Sequence, residues 1–278
     1  MTMEIREAVG PREARGFDTQ ALRDAFLIGD LFPNDDMRLV YSHYDRLIVG
    51  GTSPVDREVF LPDGSAIGTE YFLDRREMLI INIGGEGQIV TLTGTYMLAR
   101  RDALYLGRGT GPVTFSSSDR ARPARFYLLS APAHKEIPIR HLSGVGSARV
   151  DQGDAPSASQ RATFNILDPS LTETCQLTAG LTILAEGSVW STLSGEQNRR
   201  RTEAFLYFGM RPDQRVFHFM GEPTETRHIV AGDQQAVISP PWSIQASVGT
   251  RGYAFIWATA GENLGGSEMG PMPVETLR

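Results

Sequence analysis

Met78-Leu79-Ile80-Ile81-Asn82-Ile83-Gly84-Gly85-Glu86-Gly87-Gln88-Ile89-Val90-Thr91-Leu92 is the stretch that decides the fold class. Two apolar runs of strand length flank a glycine cluster, which reads as a hairpin turn after which strand pairing resumes. The same pattern continues on both sides. Upstream lie Val40-Tyr41, Arg46-Leu47-Ile48-Val49 ending in Gly50-Gly51, and Tyr71-Phe72-Leu73. Downstream come Tyr96-Met97-Leu98, Ala103-Leu104-Tyr105-Leu106, Val113-Thr114-Phe115 and Arg125-Phe126-Tyr127-Leu128-Leu129. A second series runs from Cys175-Gln176-Leu177-Thr178 to Tyr253-Ala254-Phe255-Ile256-Trp257-Ala258. Short strands with frequent turns indicate a sandwich or barrel and not a βαβ sheet.

One helix is expected near the N-terminus, capped by Asp18 or Thr19, with Leu22, Phe26 and Leu27 on its apolar face. Residues 143–160 are rich in Gly, Ser, Ala and Asp and read as a linker. The expected organisation is therefore all-β: a barrel with a helical N-terminal segment over 1–142, the linker, and a second barrel over 161–278.

The chain of 278 residues carries 27 Lys plus Arg against 33 Asp plus Glu, a formal charge of −6. With 41% apolar and 22% charged residues it has the composition of a folded globular protein. The acidic balance argues against nucleic-acid or anionic-membrane partners. Cys175 stands alone, which removes intrachain disulfides and cysteine-based zinc knuckles and fits a reducing compartment. No secretory apolar segment and no run of about 18 apolar residues is seen, so a cytoplasmic protein is expected. Barrel edges and abundant large apolar residues favour self-association.

Pro240-Pro241-Trp242-Ser243-Ile244-Gln245 follows the spacing Pro-x-Gly-x-x-His of the second cupin motif, with Trp242 and Gln245 at the Gly and His positions. Upstream, Glu203 opens a strand that Gly209 ends, as in the first motif. A longer series of segments is more specific. It includes Tyr41-Ser42-His43, Ile48-Val49-Gly50-Gly51, Ile81-Asn82-Ile83-Gly84-Gly85, Arg101-Asp102-Ala103-Leu104-Tyr105 and Ala131-Pro132-Ala133-His134. In the second half are Glu173-Thr174-Cys175-Gln176-Leu177, Glu225-Thr226-Arg227-His228-Ile229-Val230 and Ala236-Val237-Ile238-Ser239-Pro240. Through these the sequence resembles the 5-keto-4-deoxyuronate isomerases, bicupin ketol-isomerases of pectin and uronate breakdown. The resemblance implies two cupin-type jelly rolls, a hexamer, and a sugar-acid substrate. It further implies interconversion of 5-dehydro-4-deoxy-D-glucuronate and 3-deoxy-D-glycero-2,5-hexodiulosonate, or turnover of a related keto sugar acid.

The resemblance also implies a zinc site in the C-terminal barrel, built from a His-x-His pair, a glutamate and a distant histidine. The matching positions here are Glu196, Asn198, Glu203 and Gln245. Only the glutamate is unchanged. Two carboxylates and two amides favour no metal, or a hard oxygen-ligated divalent ion, over zinc. Without a cation, Glu196 and Glu203 facing each other in a closed pocket would push at least one pKa upward and form an acid and base pair for enediol chemistry, unless Arg199, Arg200 or Arg201 neutralises them. The other reading is that Glu196 and Asn198 lie at a solvated loop without a role. The alternative is a metal-free bicupin that binds or senses a sugar acid without turnover.

Further candidates carry two readings each. Glu225, Arg227 and His228 form a polar cluster that either grips a substrate carboxylate or makes a structural salt link. Trp190 and Trp242 either stack on a sugar or fill core. His218 lies in the alternating strand Val216-Phe217-His218-Phe219-Met220 and either faces the barrel interior functionally or is a hydrogen-bonded structural group.

Overall fold

The computed structural model describes residues 3–142, 149–191, 196–262 and 270–278. It is built almost entirely of strands, which form two compact units. The first holds a seven-stranded sheet in the order Glu4–Arg6, Met37–Ser42, Ile48–Thr52, Phe126–Pro132, Arg76–Asn82, Ala103–Leu106, Arg140–Leu142. Its companion is a four-stranded sheet ordered Val59–Phe60, Thr114–Ser117, Gly87–Thr91, Gly94–Leu98. Strand alternation turns Leu39, Ile48, Ile80, Leu104 and Phe126 of one sheet toward Ile89, Leu98 and Phe115 of the other. This interior is filled with apolar side chains.

The turn at Gly84-Gly85 is not the hairpin expected from sequence. Arg76–Asn82 pairs with Phe126–Pro132 and Ala103–Leu106, whereas Gly87–Thr91 pairs with Thr114–Ser117 and Gly94–Leu98. The glycines carry the chain from one sheet to the other, against the backbone of residues 122–125. A Cβ on Gly85 would meet the Arg122 carbonyl oxygen at 1.9 Å, so only glycine permits this approach.

The second unit holds a seven-stranded sheet ordered Arg149–Gln152, Arg161–Leu167, Thr178–Leu184, Ala254–Gly261, Arg201–Phe208, Gln235–Ser239, Leu27–Ile28. Its second sheet, of five strands, runs Glu225–Ala231, Val216–Glu222, Ile244–Gly249, Glu196–Gln197, Gly270–Pro271.

The boundaries differ from the linear division. The helix Thr19–Phe26 forms as expected, with Asp18 accepting a 2.8 Å bond from the Ala21 amide and with Leu22 and Phe26 buried. It belongs, however, to the second unit with the rest of Glu7–Gly29, because Leu27–Ile28 pairs with the Gln235–Ser239 strand. Ile166–Thr178 belongs to the first. Of the expected linker, 143–148 lies outside the described residues. Arg149–Gln152 is a strand paired with Arg161–Leu167. Its residues are all exposed, so the segment lacks the apolar signature of a core strand.

A buried carboxylate ties Ile166–Thr178 into the first unit. Glu77 is fully buried and accepts backbone N–H bonds from Cys175 (2.8 Å), Gln176 (2.6 Å) and Leu177 (2.8 Å). The Tyr105 hydroxyl donates to the same carboxylate at 2.6 Å. Cys175 is buried here, with its Sγ directed at the Lys135 carbonyl. Replacing Glu77 by Gln turns an N–H₂ toward amide donors and is expected to cost about 3 kcal/mol, against about 1 kcal/mol for Tyr105→Phe. Urea unfolding of the two variants beside the parent chain checks the order; equal costs would mean that the backbone amides do not depend on the carboxylate.

Candidate functional site

The interior of the second unit is not filled. A cavity of about 310 Å³ lies inside it, at the small end of the roughly 300–1,000 Å³ typical of small-molecule sites. Alternation along three strands builds its walls. Arg201–Phe208 contributes Glu203, Phe205 and Tyr207, Ala254–Gly261 contributes Phe255, Trp257 and Thr259, and Ile244–Gly249 contributes Gln245 and Ser247. His218 enters from Val216–Glu222, and Arg161, Thr163 and Asn165 from Arg161–Leu167. Gly180 lets the Trp257 indole lie against its backbone, where a Cβ would stand 2.2 Å from the ring.

The four positions matched to the zinc ligands come together. Glu196 sits opposite Gln245 in the register of their strands. Glu203, 4% exposed, accepts hydrogen bonds from the side chains of Gln245 and Asn198. Burial pushes the Glu203 carboxyl up to about 7 and the charge of Glu196 adds to the effect, while those two hydrogen bonds and the charge of Arg201 oppose it. One of its oxygens, Oε1, is buried with no hydrogen-bond partner among the described residues. Glu196 is also raised by burial, opposed by the charge of Arg161.

This set does not fit zinc. It offers no imidazole and no thiolate. Among the described residues no group of three or more His, Cys, Asp or Glu side chains is arranged so that it could hold a metal ion. The two amides turn N–H groups toward Glu203, the polarity opposite to the one a cation would require of them.

The residues expected to bind substrate lie outside this cavity. Among the described residues, Arg227, Glu225, His228, Trp190 and Trp242 do not line the cavity. Glu225 and Arg227 stand at the end of an edge strand, where the Arg227 guanidinium donates to the Arg15 carbonyl and lies 3.7 Å from Glu225. His228 is exposed beside Phe217, at 6.0 Å between ring centroids. Trp190 stacks on Phe219 at 6.0 Å. Trp242 donates from Nε1 to the Val9 carbonyl at 2.9 Å and packs edge-on to Phe26, securing the N-terminal segment.

None of the arginines after Asn198 lines the cavity. Arg200 pairs with Glu262 at the surface, and Arg199 donates to Gln197. Arg201 is buried against Thr259 through a 2.7 Å bond from Nε to Oγ1. The cation of the cavity wall is Arg161, the only Lys or Arg among its described lining residues. Sequence reasoning missed Arg161 because it sits in a strand of alternating polar and apolar residues directly after the segment taken for a linker. Tyr207 was hidden in an aromatic strand, although its spacing of four from Glu203 puts both on one face.

Among the described residues no helix is long and apolar enough to cross a membrane. Comparison with known proteins places the architecture. An IolB-like protein from Salmonella typhimurium LT2 superposes with a TM-score of 0.66 over 79% of this chain and 85% of that one, at 14% identity. Oxalate decarboxylase from Lactobacillus farciminis superposes at 0.52 over 78% and 77%, at 9% identity. These likenesses agree with the two cupin-type jelly rolls expected from sequence. At the level of sequence, 4-deoxy-L-threo-5-hexosulose-uronate ketol-isomerase 2 of Rhizobium meliloti (strain 1021) is 50% identical, covering 99% of this chain and 97% of its own. The enzyme named 4-deoxy-L-threo-5-hexosulose-uronate ketol-isomerase in Shouchella clausii (strain KSM-K16) is 46% identical, covering 99% and 100%. The model of the KduI/IolB family matches residues 32–269, and with these full-length relatives it shows that the chain belongs to the KduI/IolB family.

Proposed function

We propose that the chain is a ketol-isomerase of uronate breakdown that interconverts 5-dehydro-4-deoxy-D-glucuronate and 3-deoxy-D-glycero-2,5-hexodiulosonate without zinc. The names of its full-length relatives supply the substrate class. The observation that carries the chemistry is the Glu203 Oε1 atom, buried at the cavity wall with no hydrogen-bond partner among the described residues.

Aldehyde–ketone exchange moves a proton between neighbouring carbons and leaves the overall oxidation state unchanged. Glu203, as carboxylate, takes the proton from the hydroxyl-bearing carbon. The C–H electron pair becomes the C=C bond of an enediol while the carbonyl π pair moves to oxygen, which gains a proton. Glu203 then returns its proton to the former carbonyl carbon. The second enediol oxygen releases its proton as the new carbonyl forms, and Glu196 relays the hydroxyl protons between the two oxygens. A carboxyl with a pKa of about 7 suits this work because it exchanges a proton readily near neutrality. Asn198 and Gln245 hold the carboxylate in place. Arg161 binds the substrate carboxylate through its planar guanidinium.

Glu203→Gln is expected to lower kcat on the 4-deoxy-5-keto uronate by about 100-fold or more, in the range of a lost general base. In the parent chain kcat/KM rises with pH and levels above about 7, as Glu203 ionises; a profile flat from pH 5 to 9 would remove Glu203 as the base. The same shift sets a stability slope. A carboxyl whose folded pKa is raised from 4.5 to about 7 stabilises the fold fully below 4.5, and this contribution is lost as pH rises through 7. The stability difference between the Glu203→Gln variant and its parent should thus grow by on the order of 3 kcal/mol from pH 4 to pH 8, read by urea titration.

Arg161→Ala is expected to raise KM roughly 30-fold, the loss of a charged hydrogen bond worth about 2 kcal/mol, with a smaller change in kcat. Finally, dialysis against a chelator should leave turnover unchanged. Activity lost on chelation and regained with a divalent ion would retain the isomerase and overturn its independence of metal.

A further inference from the structure

Enediol chemistry needs a group that draws electron density onto the carbonyl oxygen as well as a base, and Glu203 cannot serve as both at once. The cavity contains a second buried polar atom that the fold leaves unused. His218 is 1% exposed and lines the cavity, yet its Nε2 has no hydrogen-bond partner among the described residues. Leaving such a buried polar atom unpaired is unfavourable, and a ligand in the cavity would recover the loss.

The other ring nitrogen is committed. Nδ1 lies 2.7 Å from the Tyr207 hydroxyl, which also hydrogen-bonds the Ser247 side chain. Ser247 Oγ in turn lies 2.8 Å from the Tyr253 hydroxyl. Ser247 Oγ also lies 2.7 Å from Ser191 Oγ. Each hydroxyl has one proton to give. Donation running toward the ring, from Ser247 to Tyr207 to Nδ1, would use each hydroxyl once and make Nδ1 an acceptor. Burial holds the ring neutral, pushing its pKa down to about 3, so it carries a single proton. With Nδ1 as the acceptor of the Tyr207 bond, that proton would lie on Nε2, the nitrogen left without a partner among the described residues. The ring packs against Phe205 at 5.2 Å between centroids. Phe205 is two residues from Glu203 on the same strand face, a step of roughly 7 Å, so one small substrate reaches both groups.

We propose that neutral His218 donates a hydrogen bond from Nε2–H to the substrate carbonyl oxygen and is the electrophile of the isomerisation, with Tyr207 as the positioning residue that fixes its tautomer. This rests on the ketol-isomerase reading and adds to it a residue outside the four positions inherited from the zinc site. A neutral imidazole is suited to the task, since it polarises a carbonyl without surrendering its proton prematurely.

The test combines kinetics with two spectroscopic readouts. His218→Leu is expected to lower kcat about 100-fold, as does loss of an oxyanion donor, with KM within threefold of the parent. His218→Gln, which can present an N–H at nearly the same point, should recover about tenfold of that loss. The uronate bound to the Glu203→Gln variant should show its carbonyl infrared band at lower wavenumber than in water, and Glu203→Gln with His218→Leu should return it. Imidazole ¹⁵N shifts should report a proton on Nε2 in the parent chain and a mixture of tautomers in Tyr207→Phe, a readout that a purely structural histidine would not share with the kinetics. If the parent chain turns over the uronate while His218→Leu keeps kcat within threefold, or if the proton is found on Nδ1, the role of His218 is overturned and the isomerase stands. Absence of turnover by the parent chain overturns the isomerase reading, and the electrophile falls with it.

Discussion

The pairing of one central strand sets the geometry of everything in the cavity. Arg201–Phe208 is buried along its whole length between Ala254–Gly261 and Gln235–Ser239. Its register puts Glu203 opposite Thr259, Phe205 opposite Trp257 and Tyr207 opposite Phe255. Because side chains alternate with a period of two, a slip of one residue would turn Glu203 and Tyr207 away together. Pairing on both edges makes such a slip expensive, and an uncomfortable carboxyl is thereby held where water would otherwise draw it out.

The two interiors show how one architecture can be used in two ways. In the first unit both sheets turn aliphatic and aromatic side chains inward, and the core closes. In the second, strands of the same kind turn Glu203, His218, Gln245, Ser247 and Arg161 inward, and a cavity remains. Burial acts on the two titratable groups in opposite senses of pKa, raising the carboxyl and lowering the imidazole, and in both cases it favours the uncharged form. The result is a chamber in which burial weights both groups toward their neutral forms, with Arg161 the one cation among its described lining residues.

Much of this was legible in the sequence, for identifiable reasons. Short apolar runs between glycines gave the all-β class, and Asp18 marked the helix start. The turn at Gly84-Gly85 was misread because a glycine cluster signals a change of direction without saying which sheet the chain joins next. Residues 149–152 were misread because an edge strand exposed on both faces has the composition of a linker. Glu196, Asn198, Glu203 and Gln245 were found through family spacing alone, since they come from separate segments whose meeting only pairing can produce. The places of Arg227 and Trp242 outside the cavity were not legible for the converse reason: polar and aromatic groups beside an apolar run look the same whether they face a cavity or fasten a terminal segment.

The Glu77 clamp bears on how the chain is made. Its carboxylate is 98 to 100 residues ahead of the amides it accepts. Likewise, Leu27–Ile28 must wait for its partner strand at Gln235–Ser239. A ribosome adding about 5–20 residues per second therefore exposes Glu77 for roughly 5–20 s before its partners emerge. Neither unit can be finished in order of synthesis, and the nascent protein spends that interval with a carboxylate destined for burial still in contact with water.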